Sequence, residues 1–319
     1  MGLNELTSDG LVSPSFIRFY SAFQDAAMVV SLCAFALSCT TIFRASPKGM
    51  GVYRWFLLNE VVWNLFFDLL LYSWKMVPLF PALCVYSSSF LLGEYSVLWS
   101  RIALFLMAFS CVGKSVGIMA GVLYRHMHAT PPNTRLFQLY IKSTPWNQIW
   151  TFLVLEAIVT PAFFYTDGQE RAILQKISSE SEVMRAVFAL QPSTLCLTAD
   201  RPPVTIFVFA LVPCLAITLL ISVLLFRTHR NLREHKRTFR VNDQKLEYRL
   251  LVACEYHLLG SCLFLLLPLL VILAAAFFGI PRSNHAACVA ASVASVHSMV
   301  DCFILIRCIR PYRHNLLFL

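Results

Sequence analysis

The sequence predicts an all-α membrane protein, a seven-transmembrane helix bundle with its N-terminus outside and its C-terminus inside. Two observations carry that expectation. Seven apolar stretches, at about 19–43, 53–80, 88–123, 147–166, 204–226, 250–280 and 285–306, each reach the roughly 20 residues that a helix needs to cross a bilayer core. Lys and Arg crowd alternate gaps: seventeen fall in segments 44–54, 125–146, 227–249 and 307–319, and six (Arg18, Arg171, Lys176, Arg185, Arg201 and Arg282) in the segments between. The positive-inside rule puts the crowded segments in the cytoplasm. The whole chain, 1–319, reads as one domain. It is 58% hydrophobic and only 13% charged, about half the charged share of a soluble domain. The net charge of +9 lies beside membrane ends, so topology and anionic inner-leaflet lipid account for it without a nucleic-acid partner.

Taken in order, the elements differ in what they carry. Residues 1–15 lack a basic start and an apolar run, so the first span is expected to be its own insertion signal. The second, third and sixth stretches are long and must tilt or extend past the membrane. Span two carries Asp68 and Lys75, span three Arg101 and Lys114, span four Glu156, and span seven His297 and Asp301. Pro161, Pro213 and Pro268 fall inside spans four, five and six, where each removes a backbone hydrogen bond and favours a bend. The outer loop 167–203 is mixed in charge. Within it, 169–190 has the apolar points Ala172, Ile173, Ile177, Val183, Ala186 and Val187 of a short amphipathic helix. A lid over a pocket and a solvated connector both fit that loop. The inner loop 227–249 is the most cationic. Arg233, Lys236, Arg237 and Arg240 there suit either a cytoplasmic partner or plain topogenesis.

Charges inside spans are costly unless they meet a partner or water. At about 1.5 Å per helical residue, Asp68 lies about 21 Å above Arg54, Lys114 about 16 Å above Arg125, and Asp301 about 14 Å above Arg310. His297 stands one turn from Asp301 on the same face. Asp68, Lys114, His297 and Asp301 are therefore expected at one level, with Lys114 between the two carboxylates, as a fixed polar network or a switch that repacks. Lys75 and Arg101 lie nearer the outer ends. They either anchor an anionic or carbonyl-bearing ligand or snorkel to headgroups.

Most of the eleven cysteines lie within spans, where a thiol is a small apolar residue. Cys84 and Cys196 alone fall in outer segments, which face an oxidising compartment. A bridge between them would pin the long loop over the bundle; free thiols are the alternative. Span seven holds no lysine for a retinal Schiff base. His257, His285 and His297 are scattered and no H-E-x-x-H motif occurs, so no cofactor and no metal are expected. A transporter or channel is the competing class, though neither inverted repeats nor paired broken helices are visible.

Three blocks carry a resemblance. They are "YRWFLLNEVVWNLFFDLLL" from Tyr53, "PLFPALCVYSSSFLLG" from Pro78, and the ending "HSMVDCFILIRCIRPYR" from His297. Together they resemble nematode serpentine chemoreceptors of class H, within the Str-type superfamily of G-protein-coupled receptors, over nearly the whole chain. Trp55, Leu58, Asn59, Trp63 and Asp68 fall on that family's span-two pattern, and His297, Pro311, Tyr312 and Arg313 on its closing one. The resemblance implies a small-molecule chemical ligand, a heterotrimeric G protein as partner, membrane lipid around the bundle, and the plasma membrane of chemosensory cilia. It gives Arg125 a coupling role, with Arg233, Lys236, Arg237 and Arg240 bordering the same cleft. The family usually has an acidic residue and an asparagine before that arginine. Here Leu123 and Tyr124 precede it, so the local acid is missing.

Overall fold

The computed structural model describes residues 11–46, 50–51, 53–80, 82–89, 97–128, 146–158, 160, 170–198, 204–234, 241–278, 280, 283–309 and 312. Helix α1 (Pro14–Ala45) starts where Ser13 caps it, its hydroxyl accepting from the Phe16 N–H, with Pro14 in the first turn. Helices α2 (Tyr53–Trp74) and α3 (Val97–His128) follow, then a fourth helical segment, α4, at 146–158. Helix α7 (Val204–Glu234) precedes a long rod made of α8 (Val241–Ser261), a π-helical turn (Cys262–Leu266) and α9 (Leu267–Phe278). Helices α10 (Asn284–Ala294) and α11 (His297–Cys308) form the last rod, interrupted at 295–296.

Among the described residues, six helical rods are long and apolar enough to cross a membrane: Pro14–Ala45, Tyr53–Trp74, Val97–Met127, Cys214–Arg233, Tyr248–Phe278 and Asn284–Cys308. Segment α4 covers the first part of the fourth apolar stretch of the sequence, of which 159 and the residues from 161 on fall outside the described ones. Large side chains point outward from these rods: Phe19, Leu219, Phe226, Phe278 and Phe303 are 66–72% exposed. In water such surfaces would aggregate; around a helical rod of this length they face lipid.

The second apolar stretch does not stay helical to Phe80. Lys75 takes a left-handed conformation (φ 44°), and its N–H donates to the Leu71 carbonyl at 2.8 Å, which closes α2 at Trp74. The chain then pairs β1 (Met76–Pro78) with β2 (Leu83–Ser87), an antiparallel hairpin. Ser88 and Ser89 are likewise not helical, and the third helix is described from Val97. The long loop supplies two short helices, α5 (Glu170–Glu180) and α6 (Glu182–Leu190), divided at Ser181, whose hydroxyl caps α6. Its end forms β3 (Leu195–Thr198), which adds to β2. Cys84 and Cys196 are opposite each other in that ladder and form a disulfide.

This sheet and the α5–α6 pair make a cap over one end of the bundle. Ile177 and Met184 anchor the pair and are fully buried against Val77, Cys84 and Tyr20. Polar pins hold the cap to the rods. The Asn284 amide accepts from the Phe80 N–H (2.7 Å), the Tyr20 hydroxyl donates to the Met76 carbonyl (3.2 Å), and the Ser100 hydroxyl donates to the Ser193 carbonyl (2.7 Å). The opposite end is closed by an apolar cluster of Ile42, Tyr53, Phe56, Leu250, Leu305 and Tyr312.

The cap generates one prediction. Cys84→Ser or Cys196→Ser should lower surface expression by similar amounts, and the double replacement should cost little more, since the bond is lost once. Quantitative surface staining checks this; additive losses would mean that the bond does not hold the cap.

Candidate functional site

Helix α2 places Glu60, Asn64 and Asp68 at four-residue intervals, so all three share one face. That face is buried, with Glu60 at 7%, Asn64 at 3% and Asp68 at 3% exposure. Helix α3 answers with Gly113, Gly117 and Gly121, again four apart. A Cβ at Gly113 would collide with the Trp63 indole, and one at Gly117 would sit 2.9 Å from the Asn59 amide nitrogen. Small residues at this spacing let two membrane helices approach closely. The approach positions Lys114, beside Gly113, to reach into the bundle.

Lys114 Nζ lies 2.7 Å from Asp301 Oδ2 on α11, and Asn64 Nδ2 donates to the same oxygen at 2.9 Å. His257, on α8, faces the other side of this carboxylate: its Nδ1 is 3.5 Å from Asp301 Oδ1 and 3.0 Å from Glu60 Oε1. One turn toward the cap, His297 Nδ1 is 2.8 Å from the Ala294 carbonyl and 3.2 Å from Asp68 Oδ1. That carbonyl belongs to the last residue of α10, so the imidazole occupies the break between α10 and α11. Lys114 thus pairs with Asp301 and Asp68 with His297, rather than Lys114 bridging both carboxylates. Every one of these residues is less than 9% exposed. Three carboxylates and one ammonium are held in an apolar interior, where an isolated charge costs several kcal/mol and a paired, hydrogen-bonded one far less.

The other sequence-selected residues lie apart from this cluster. Lys75, at the end of α2, is buried and committed to α1, with Nζ 2.6 Å from Asp25 Oδ1 and 2.9 Å from Ser21 Oγ. Arg101 is half-buried near the cap end of α3. Arg125 lies toward the opposite end, 2% exposed, its guanidinium 3.7 Å from the Tyr53 ring centroid. Tyr53 in turn contacts Cys254 Sγ of α8 through its hydroxyl at 3.1 Å. Arg233 is exposed at the end of α7, whereas Lys236, Arg237 and Arg240 lie outside the described residues. Sequence reasoning missed Glu60, Asn64 and His257. The four-residue stripe on α2 was the available signal for the first two; His257 has no local pattern that marks it.

A lipid-facing helical bundle around a buried ionic cluster is an integral membrane protein of the kind from which multi-span receptors are built. Residues 15–319 match the serpentine-type 7TM GPCR chemoreceptor family Srh, and the chain belongs to that family. The match carries a receptor role and is to a chemoreceptor family, not an enzyme class. Among curated proteins none matches the chain significantly.

The pairing yields a stability prediction. Lys114→Met alone leaves Asp301 buried without its ammonium and should cost about 3–5 kcal/mol. Adding Asp301→Asn should restore a large part of that loss. Thermal unfolding of the purified single and double variants measures the coupling, and losses that simply add would show that the pair is not a unit.

Proposed function

We propose that the chain, as one seven-helix receptor domain with its N-terminus outside, binds an external small molecule beneath the cap and activates a cytoplasmic heterotrimeric G protein at the opposite end. Family membership supports the plasma membrane, in chemosensory cilia, as its setting. The observation that carries this reading is the ionic cluster that links α2, α3, α8 and α11, the rods whose relative packing must change if one end is to report on the other.

Between the cluster and the cap, Phe67, Leu71 and Ala294 pack with Met107, Cys111 and Leu265. An apolar ligand entering this layer would touch helices on several rods at once, and a few polar groups would orient it. Arg101 and Lys75 are the candidate anchors for an anionic or carbonyl-bearing ligand. Lys75 would have to exchange Asp25 for the ligand. A ligand that fits one packing better than the other shifts the population toward it. The π-helical turn before Pro268 supplies a joint in span six, because a widened turn accommodates the missing proline N–H.

At the G-protein end, Arg125 stacked on Tyr53 holds α3 against α2. Opening a cleft there would free the guanidinium for the partner, with Arg233, Lys236, Arg237 and Arg240 as a basic border. The same contact substitutes for the acidic neighbour that is missing before Arg125.

Two outcomes test this. An epitope placed before Ser15 should stain on intact cells and one after Leu319 only on permeabilised cells; the reverse pattern would overturn the orientation. Tyr53→Leu removes a desolvated cation–π contact worth about 2 kcal/mol and should raise ligand-free signalling up to about thirtyfold in a G-protein biosensor, at matched surface expression. Arg125→Ala should abolish signalling from any agonist found in a ligand panel. Normal signalling from Arg125→Ala would remove it from the coupling surface.

A further inference from the structure

Glu60, His257 and Asp301 converge on one point of the bundle interior. Each offers one ligand atom, and the three atoms lie within 4.8 Å of one another. His257 Nδ1 stands 3.0 Å from Glu60 Oε1 and 3.5 Å from Asp301 Oδ1, within ion-pair reach of both but with its N–H aimed squarely at neither. Glu60 Oε1 and both His257 ring nitrogens are buried without a hydrogen-bond partner among the described residues. A metal ion with bonds of about 2.1 Å to nitrogen and oxygen in tetrahedral geometry holds its ligand atoms roughly 3.4 Å apart, between the two separations seen.

Three further features fit. The ligands come from α2, α8 and α11, so the site is built by tertiary packing. Asp301 is oriented from behind, its second oxygen accepting from Asn64 and Lys114, as a metal-bound carboxylate usually is. A cavity of about 10 Å³, bordered by Tyr53, Phe56, Glu60, Gly117, Cys254 and His257, adjoins the site and has room for roughly one water as a fourth ligand. Charge is compatible with it: Glu60, Asp68 and Asp301 gather around one lysine, Lys114, and a divalent cation would offset carboxylates held in this apolar interior.

We propose that Glu60, His257 and Asp301 bind a divalent transition metal ion of the zinc type, which clamps spans two, six and seven together at the centre of the bundle. The mixed imidazole and carboxylate donors suit zinc and not magnesium, which prefers oxygen in octahedral sites. The binding stands on the geometry alone. Its consequence, that the clamp holds span six closed and lowers ligand-free signalling, rests on the receptor reading.

The test uses the purified full-length chain in lipid nanodiscs, stripped with a chelator and then titrated with ZnCl₂ or MgCl₂. Saturating zinc should raise the Tm by roughly 5 °C, and magnesium should leave it unchanged. Glu60→Gln and His257→Gln should lose the zinc shift, whereas His257→Cys should retain one, because a thiolate also binds zinc; that retention separates lost ligation from lost folding. No zinc shift in the folded wild type would overturn the proposal. So would a full shift in His257→Gln, which would place zinc elsewhere. A zinc shift without any change in signalling would support the site and count against the receptor reading of its consequence.

Discussion

Asp301 and Lys114 face each other across the middle of a bundle whose outer surfaces meet lipid. Neither charge could be held there alone, so the rods around them must deliver partners at fixed heights. Span three brings the ammonium, and the glycine stripe lets it come close enough. Span two brings Asn64 to share the accepting oxygen and Glu60 to face His257. Span six brings that imidazole to the remaining oxygen. The packing of four rods is therefore tied to one carboxylate, and the break in span seven places His297 against Asp68 beside it. A bundle held by apolar contacts alone would slide at little cost, because lipid solvates those faces as well as a neighbouring helix does. The charges give the packing discrete positions.

The two ends of the bundle have different characters, and this follows from what closes each one. The cap is a covalently fixed sheet with polar pins to the rods, so the extracellular end in the proposed orientation is a rigid roof over a deformable apolar layer. The other end is held by aromatic stacking around Arg125 and by a cluster that includes Tyr312, whose hydroxyl lies 2.7 Å from Ser46 Oγ on the chain after α1. Such contacts can be exchanged for contacts to a partner protein. In the proposed reading, a ligand beneath that roof would move what lies below it, with the π turn and Pro268 as the joint in span six.

Much of this arrangement was legible in the sequence. Apolar length and charge asymmetry mark the rods, and an ionised residue within such a rod signals an interior partner, which is how Asp68, Lys114, His297 and Asp301 stand out. The helix-to-strand change at Lys75 was not legible, because the apolar run from Met76 to Phe80 suits a buried strand as well as a helix. The three-stranded sheet was hidden for the same reason, since its third strand comes from a loop more than a hundred residues away. His257 was hidden too: a lone histidine in span six acquires meaning only when folding brings Glu60 and Asp301 to it. The pairing pattern within the cluster depends on helix rotation, which depth arithmetic does not supply.

The central claim is that the cluster sets the position of span six. The most direct measurement is the distance between spin labels introduced through unnatural amino acids at the exposed residues Arg54 and Arg249, on α2 and α8. In the ligand-free protein the distribution should be narrow, and Asp301→Asn should add a second, longer distance in a protein that still carries its cap disulfide. An unchanged narrow distribution in Asp301→Asn would show that span six is held by something else.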